Sequence, residues 1–518
     1  MDVFLLFLVL AVIGFALVVN TRLLLHYQAP EDSGFASSIG CKAIIVMSLT
    51  LAWLMNLLLP VDVRNSRPTP GFLDMQFLWS FAFATIAVFL VLIVPGAMFY
   101  HEVEGDDTVK RKRRHVIIYL FVTFFITVST IAISFAFLST ASLPMEIYSC
   151  QEWQNADASR DDAKTCSSGK PGSVEVQVGF LTYIMAALCF VGWFFFSVFG
   201  GIGLTAAPLD MILAFIDRPR AIDEGTYRHR KKVVGEAAAI LLSKAEDLQS
   251  RDSAANTGPK KRRLPSLQSW RDGRELREVK ADYNRFKCDV MLLEEEFERL
   301  QISKFNKGES LVISFAKLML GIFFAMLSFA WVLHIIIYVL IPQATGEVST
   351  VFLNGLFEAF ENSGFYPLGV AFYAIFNFYL LYCVVKGCMK FGMRIAFFSI
   401  HPMKEKNTPL SSILFNVEMV MISSAAVVQF SQTAFSDYSR LTDADILFSA
   451  QINHLTFFRF FFENQIFVII ILVLSILALV YFIFRPRDKG VVQFSRKTDT
   501  FLANLIGAVS PKTTSNAA

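Results

Sequence analysis

Ile466–Phe484 reads IFVIIILVLSILALVYFIF, nineteen residues without a charge, ended by Arg485. A bilayer core is about 30 Å thick, and about 20 residues rising 1.5 Å each cross it as a helix. Inside lipid only a helix satisfies every backbone N–H and C=O within one segment. Working outward, eight further apolar stretches have comparable length. With the first they lie near residues 3–19, 42–59, 77–99, 116–138, 177–205, 311–341, 367–390, 411–430 and 465–484. The expected fold is an all-α integral membrane protein with nine transmembrane helices.

Composition agrees. Hydrophobic residues make up 54 % of the 518, Phe alone numbers 53, and the mean hydropathy is +0.51. Charged residues are 18 %, against roughly 25 % in soluble domains. The distribution of Lys and Arg sets the orientation. One side collects Arg22, Lys42, the run Lys110–Arg114, Lys386, Lys390, Arg394, Lys404, Lys406 and the tail from Arg485 to Lys497. The other side holds only Arg64, Arg67, Arg160, Lys164, Lys170, Arg440 and Arg459. The expected topology therefore has a cytosolic C-terminus and, with an odd span count, an outside or lumenal N-terminus. Met1–Asp2 runs straight into apolar sequence with no basic region before it, the charge order of an N-out anchor.

The organisation follows: a five-helix membrane half (1–205), a cytosolic insertion (206–309), a four-helix half (310–484) and a cytosolic tail (485–518). Within the insertion, Leu276, Val279, Tyr283, Phe286, Val290, Leu293, Phe297 and Leu300 alternate at spacings of three and four. That is a coiled-coil seam. A weaker partner pattern runs through Tyr227, Val234, Ala237, Leu241 and Leu248. The polar break Ser250–Pro265 separates them. The expectation is an antiparallel hairpin with arms near 221–248 and 271–303, tipped by Lys260–Arg263. Two readings stay open: a coiled coil that covers its own seam, and a face that binds a partner protein.

Polar groups inside spans are expensive in lipid and mark transport chemistry or buried hydrogen bonding. The eighth span carries Asn416, Glu418 and Gln429, and the sixth carries His334 in FAWVLHIIIYVL. These four form the candidate intramembrane site, with structural hydrogen bonding as the plainer alternative. Gly200, Gly201 and Gly203, followed by Pro208, make the end of the fifth span a packing surface or hinge. Segment 345–362 has no basic residue and reads as an interfacial or re-entrant helix, with Val351, Phe352, Leu356, Phe357 and Phe360 on one face. Cys150 and Cys166 share one outer loop, where a disulfide and two unpaired thiols both remain open. The chain has no nucleophile elbow, paired catalytic carboxylates, phosphate loop or metal-ligand spacing. No enzymatic activity, cofactor, metal or nucleic-acid partner is expected.

Three stretches carry a family resemblance: LLLPVDVRNS at 57–66, FYHEVEGDD at 99–107 and GLTAAPLDMI at 203–212. The chain resembles the lipocalin-interacting membrane receptor (LIMR) family, whose members include the limb-region proteins and the lysosomal cobalamin transport escort protein. The acidic patch after the third span is most similar to the escort branch. The resemblance implies a receptor or escort without catalysis, partnered by an ABC-type transporter or a trafficking adaptor. It implies residence in lysosomal, endosomal or plasma membrane. Asp62 and Pro208 stand at motif positions, and the family supplies no ligand-binding motif to carry over. The chain lacks any N-x-Ser/Thr sequon, a departure from animal escort proteins. The alternatives are a transporter or channel using the polar residues of spans six and eight, and a lipid-handling protein.

Overall fold

The computed structural model describes residues 3–28, 39–66, 73–102, 109–147, 170–216, 218, 221–256, part of 282–304, 310–345, 351–362, 367–390, 394–395, 398–399 and 408–484. Cys150, Cys166, the Lys260–Arg263 tip, the seam positions Leu276, Val279 and Tyr283, and the tail after Phe484 lie outside the described residues. Among the described residues, nine helices are long and apolar enough to cross a membrane. They are Val9–Tyr27, Ile39–Asn65, Met75–Tyr100, Arg114–Leu138, Phe180–Ile216, Leu311–Gln343, Leu368–Lys390, Leu410–Ala434 and Ile466–Phe484. The protein is an integral, multi-pass membrane protein.

The largest departure from the sequence reading is the fifth span. It continues unbroken through Pro208 to Ile216 instead of ending near 205. Proline removes one backbone donor, and tight packing inside a helix bundle tolerates that loss. Pro208 is itself buried, as are Ala206 and Ala207 before it. Two spans also contain π-helical turns, Phe89–Ile93 in the third and Ile335–Leu340 in the sixth.

Contacts divide the chain into two compact units, residues 1–208 with 324–483 and residues 209–323 with 484–518. In the first unit the eighth span is the centre: 83 % of its most apolar window is buried, against none of the fourth span's. Lipid tails are as apolar as Leu, so helices associate in a bilayer through close packing and hydrogen bonds. Small residues provide the packing here. A Cβ on Gly203 would lie 1.8 Å from the carbonyl oxygen of Cys383, and one on Gly387 would lie 2.0 Å from that of Phe199. The fifth and seventh spans thus touch backbone to backbone at two points one turn apart. Three turns earlier, Gly192 meets the backbone of Ile422, and on another face Gly201 meets that of Ile471. A Cβ on Gly200 would first meet the ring of Phe196.

A second lock joins sequence-distant segments. Asp62, buried in the second span, accepts from the indole Nε1 of Trp79 and from the backbone N of Ala444, each at 2.8 Å. The backbone N of Asp443 lies 3.4 Å away. Residues 443–445 open a short helix that continues as the π-helix Ile446–Ile452, with Thr442 as its N-cap. Asp62 therefore supplies the acceptor that the unpaired N–H groups of a helix start require.

A β-hairpin joins the fourth and fifth spans and lies against the connection between the eighth and ninth. Strand β1 (Thr140–Ile147) pairs antiparallel with β2 (Lys170–Gln177). The backbone N of Ser142 donates to His454 O and that of Thr456 to Thr140 O, so residues 454–456 flank β1. Helix Phe352–Asn362 lies near the same end, but its buried face is Leu353, Asn354 and Phe357. Val351, Phe352 and Leu356, expected on one face with Phe357, are exposed. The hydrogen bond from Tyr438 N to Asn354 Oδ1 and the edge contact of Phe357 with Tyr438 fix that rotation.

The second unit contains helix Glu224–Asn256 and a helical stretch within 282–304. Val234, Ala237 and Leu241 pack with Leu293, flanked by Phe286 and Val290. Lys244 Nζ reaches Asp289 at 3.0 Å, and Lys304 pairs with Glu224. Late residues of one stretch meet early residues of the other, so the two run in opposite chain directions. Leu300 is buried, whereas Phe297 is 38 % exposed.

Gly203→Ala should lower the melting temperature of the detergent-solubilised protein, by an overpacking cost of about 1–3 kcal/mol or more. Gly235→Ala, at an exposed helical site with no atom within 4 Å of the added Cβ, should leave it unchanged or raise it. Equal melting shifts for the two would refute the close-approach account. Asp62→Asn turns an N–H donor toward Trp79 and the 443–444 amides, and should cost about 1–3 kcal/mol. Combined with Trp79→Phe it should show a smaller loss than the sum of the single changes.

Candidate functional site

The described structure separates the four polar residues that sequence groups together. Glu418 is half-buried near the start of the eighth span, without a hydrogen-bond or ion-pair partner among the described residues. Asn416 is buried, and its backbone oxygen accepts a weak 3.9 Å contact from Cys388 Sγ. Gln429 lies eleven residues past Glu418, about 16 Å along the helix. His334 donates from Nε2 to Ala434 O at 2.8 Å, placing it some 24 Å from Glu418 along the same span. Its imidazole stacks on Phe435 at 4.5 Å and on Tyr338 at 5.1 Å. Met419–Met421 and Ala425–Val428, all buried, fill the interval.

What the structure brings together is the other end of the eighth span. Gln429 accepts from Trp193 Nε1 at 2.9 Å and donates from Nε2 to Asn453 Oδ1 at 2.6 Å. Ser431 donates to Asn377 Oδ1, and Asn377 donates to Asn56 O. Gln432 donates to Asp445 Oδ1 at 2.7 Å and accepts from Ser449 Oγ at 3.1 Å. One helical end therefore fixes the second, fifth and seventh spans and the 443–453 segment. Each bond replaces a polar group that would otherwise be stranded in lipid.

Beside this polar end lies a cavity of about 260 Å³. Trp193, Phe430, Phe461, Phe462 and Phe467 form its aromatic walls, and Thr433, Ser449, Asn453, His454, Glu463 and Gln465 its polar lining. Trp193 stacks on Phe467 at 5.5 Å. Glu463 pairs with Arg459, and its backbone oxygen accepts from Gln343. Gln465 adopts a left-handed φ of 50°, which turns the chain from the Arg459–Glu463 helix into the ninth span. His454 Nδ1 is buried without a hydrogen-bond partner. Burial holds this imidazole below its usual pKa; Glu463 partly offsets the shift and Arg459 adds to it. Near neutral pH, His454 is uncharged.

Sequence reasoning missed these lining residues, having assigned no element to 435–464. The signal was present in HLTFFRFFFENQ at 454–465: too polar for a span, too aromatic for a solvated loop. Among the described residues, no group of three or more His, Cys, Asp or Glu side chains gathers as a metal site.

The comparisons with known proteins agree with this architecture. The family model for LMBR1-like membrane proteins matches residues 1–291 and 275–483. A LIMR family protein of Dictyostelium discoideum is 31 % identical, over 94 % of this chain and 98 % of its own length. LIMR family proteins of Arabidopsis thaliana and of Oryza sativa are each 29 % identical, over 91 % and 90 % of this chain and 95 % and 93 % of their own lengths. No solved structure matches. The chain belongs to the LIMR family.

Proposed function

We propose that this protein is a non-enzymatic membrane receptor or transport escort that captures on its outer side and docks a protein partner on its cytosolic side. The proposed topology places the N-terminus and the β1–β2 hairpin outside or in the lumen. It places the 224–304 helix pair, as an antiparallel coiled-coil hairpin, in the cytosol. The observation that carries the reading is apolar surface that the described residues of the helix pair leave exposed. Leu242 is 65 % exposed and Phe297 38 % exposed beside an apolar groove of about 490 Å³ that also includes Ala238, Leu241 and Phe286. Outside lipid, such a groove is the geometry that receives an amphipathic helix. The proposed partner is an ABC-type transporter or a trafficking adaptor in lysosomal, endosomal or plasma membrane, as in the escort branch of the family.

A conduit of its own is the second reading, favoured by the partnerless half-buried carboxylate of Glu418. Against it stands the buried apolar stretch that separates Glu418 from Gln429 and His334.

Two measurements separate the readings. Proximity labelling by tagged full-length protein should mark an ABC-type transporter or adaptor, and Leu242→Glu should reduce that label severalfold while membrane insertion stays intact. An unchanged label would count against the groove as the docking surface. Vesicles loaded with a pH-sensitive dye should show no protein-dependent proton flux, and Glu418→Gln should match wild type. Flux that disappears in Glu418→Gln would establish the conduit instead.

A further inference from the structure

Lys231, Gly235, Ala238, Leu242 and Ala245 recur at spacings of four and three along Glu224–Asn256, and all five line the groove on the helix pair. They form a second seam, beside the one through Val234, Ala237 and Leu241 that packs with Leu293. Two adjacent seams on one helix seat two neighbours, and the described residues supply one of them. We infer that the second neighbour is the chain's own C-terminal segment, Phe501–Val509, seated in the groove. The inference goes beyond the docking reading, because it names an occupant in cis and stands whether or not a partner shares the groove.

The segment lies outside the described residues, and its sequence predicts the match. In TDTFLANLIGAVS at 498–510, Phe501, Leu502, Leu505, Ile506 and Val509 fall at i, i+1, i+4, i+5 and i+8, one apolar face of a helix. Thr498, Asp499 and Thr500 before it are residue types that start helices. As a helix, Phe501 to Val509 rises about 12 Å, and the groove from Lys231 to Ala245 runs about 21 Å along its own helix. Gly235, Ala238 and Ala245 make a shallow floor that lets a helix come close. Leu242 and Phe297 are the exposed apolar bulk that it would cover.

Connectivity brings the two within reach. The ninth span runs parallel to the fifth, since Gly201 meets Ile471 and Thr205 Oγ1 donates to Ser475 O at 2.9 Å. Both spans therefore end on the same side, the fifth at Ile216 ahead of the helix pair and the ninth at Phe484 ahead of the tail. Residues 485–500 then form a tether that extends up to about 53 Å. Leu242 lies about 27 Å along its helix from Glu224. A short flexible tether of this kind gives an effective concentration on the order of millimolar.

Charge favours the groove over the membrane surface. A helix that lies on lipid is rich in Lys and Arg on its polar face, whereas residues 498–510 contain neither. The basic pair Arg496–Lys497 sits just before the segment. Glu294 lines the groove, and Glu294 and Glu298 are both exposed on the arm that carries Phe297.

The test puts the photo-crosslinking residue benzoylphenylalanine in place of Leu505 in the full-length protein in detergent. Irradiation should join it to residues 231–245 or 286–297 of the same chain, read by peptide mapping, and Leu242→Glu should cut that adduct severalfold. A second arm removes residues 498–518 and adds a fluorescein-labelled peptide of 498–510. Anisotropy should report one peptide per truncated chain. Capture by the intact chain, whose own segment competes, should be at least tenfold weaker.

Adducts confined to lipid or detergent would place the segment on the membrane surface and overturn the proposal. A crosslinked dimer would overturn it too, by giving the groove to the tail of a second copy. So would equal capture by intact and truncated chains, or an adduct that Leu242→Glu leaves unchanged. If Leu242→Glu fails to fold, the comparison of intact with truncated chain decides alone. Neither arm contains a partner protein. A same-chain adduct beside an unchanged proximity label in Leu242→Glu would retire the docking reading and leave the tail seated; a reduced label without the adduct would do the reverse.

Discussion

The carboxylate of Asp62 is the constraint on which one end of the membrane unit depends. It faces donors from the third span and from the first turn of the 443–452 helix, and it offers them their acceptor. Water would cover such donors cheaply in a soluble protein. Within a bundle surrounded by hydrocarbon there is no substitute, so the carboxylate fixes where the connection between the eighth and ninth spans sits. That connection provides Asn453, His454 and Glu463 to the cavity and the edge against which β1 lies.

The eighth span extends the same logic along the membrane. Its small residues Ser423–Ala426 let neighbours approach, and its Gln429, Ser431 and Gln432 reach out to them. The fifth span answers with glycines at backbone contact distance. Apolar bulk does something different here from its role in a soluble core. Phe121, Phe125 and Phe137 of the fourth span are exposed because they face lipid, where exposure is no penalty. Stability and specificity therefore rest on shape and on a small set of polar bonds.

Each unit presents its own kind of surface. The membrane unit offers a partly open cavity with aromatic walls and a polar lining. The 209–323 unit offers an open apolar groove along a helix pair. The first suits a small molecule and the second a protein helix. A receptor or escort needs both kinds of recognition, whereas a conduit needs a polar path. The described part of the eighth span interrupts any such path with buried Met, Val and Ala.

Hydropathy alone located the nine helices that, among the described residues, are long and apolar enough to cross a membrane, because in lipid a backbone has one local way to satisfy itself and that way is written in each segment's own residues. The family was legible too, since Pro60–Val61–Asp62 and the run Gly203–Ile212 are contiguous. The heptad spacing of 286–300 named the helix but not Phe297's exposure, which depends on what the opposing helix leaves uncovered. Glu418, Gln429 and His334 look like one site in sequence, and only the fold shows them spread along a whole span. Conversely, Trp193, Val339 and His454 are far apart in the chain and line one cavity. Their meeting depends on long-range bonds such as Asp62 to Ala444, between residues separated by 382 positions, and no local pattern encodes a partner at that distance.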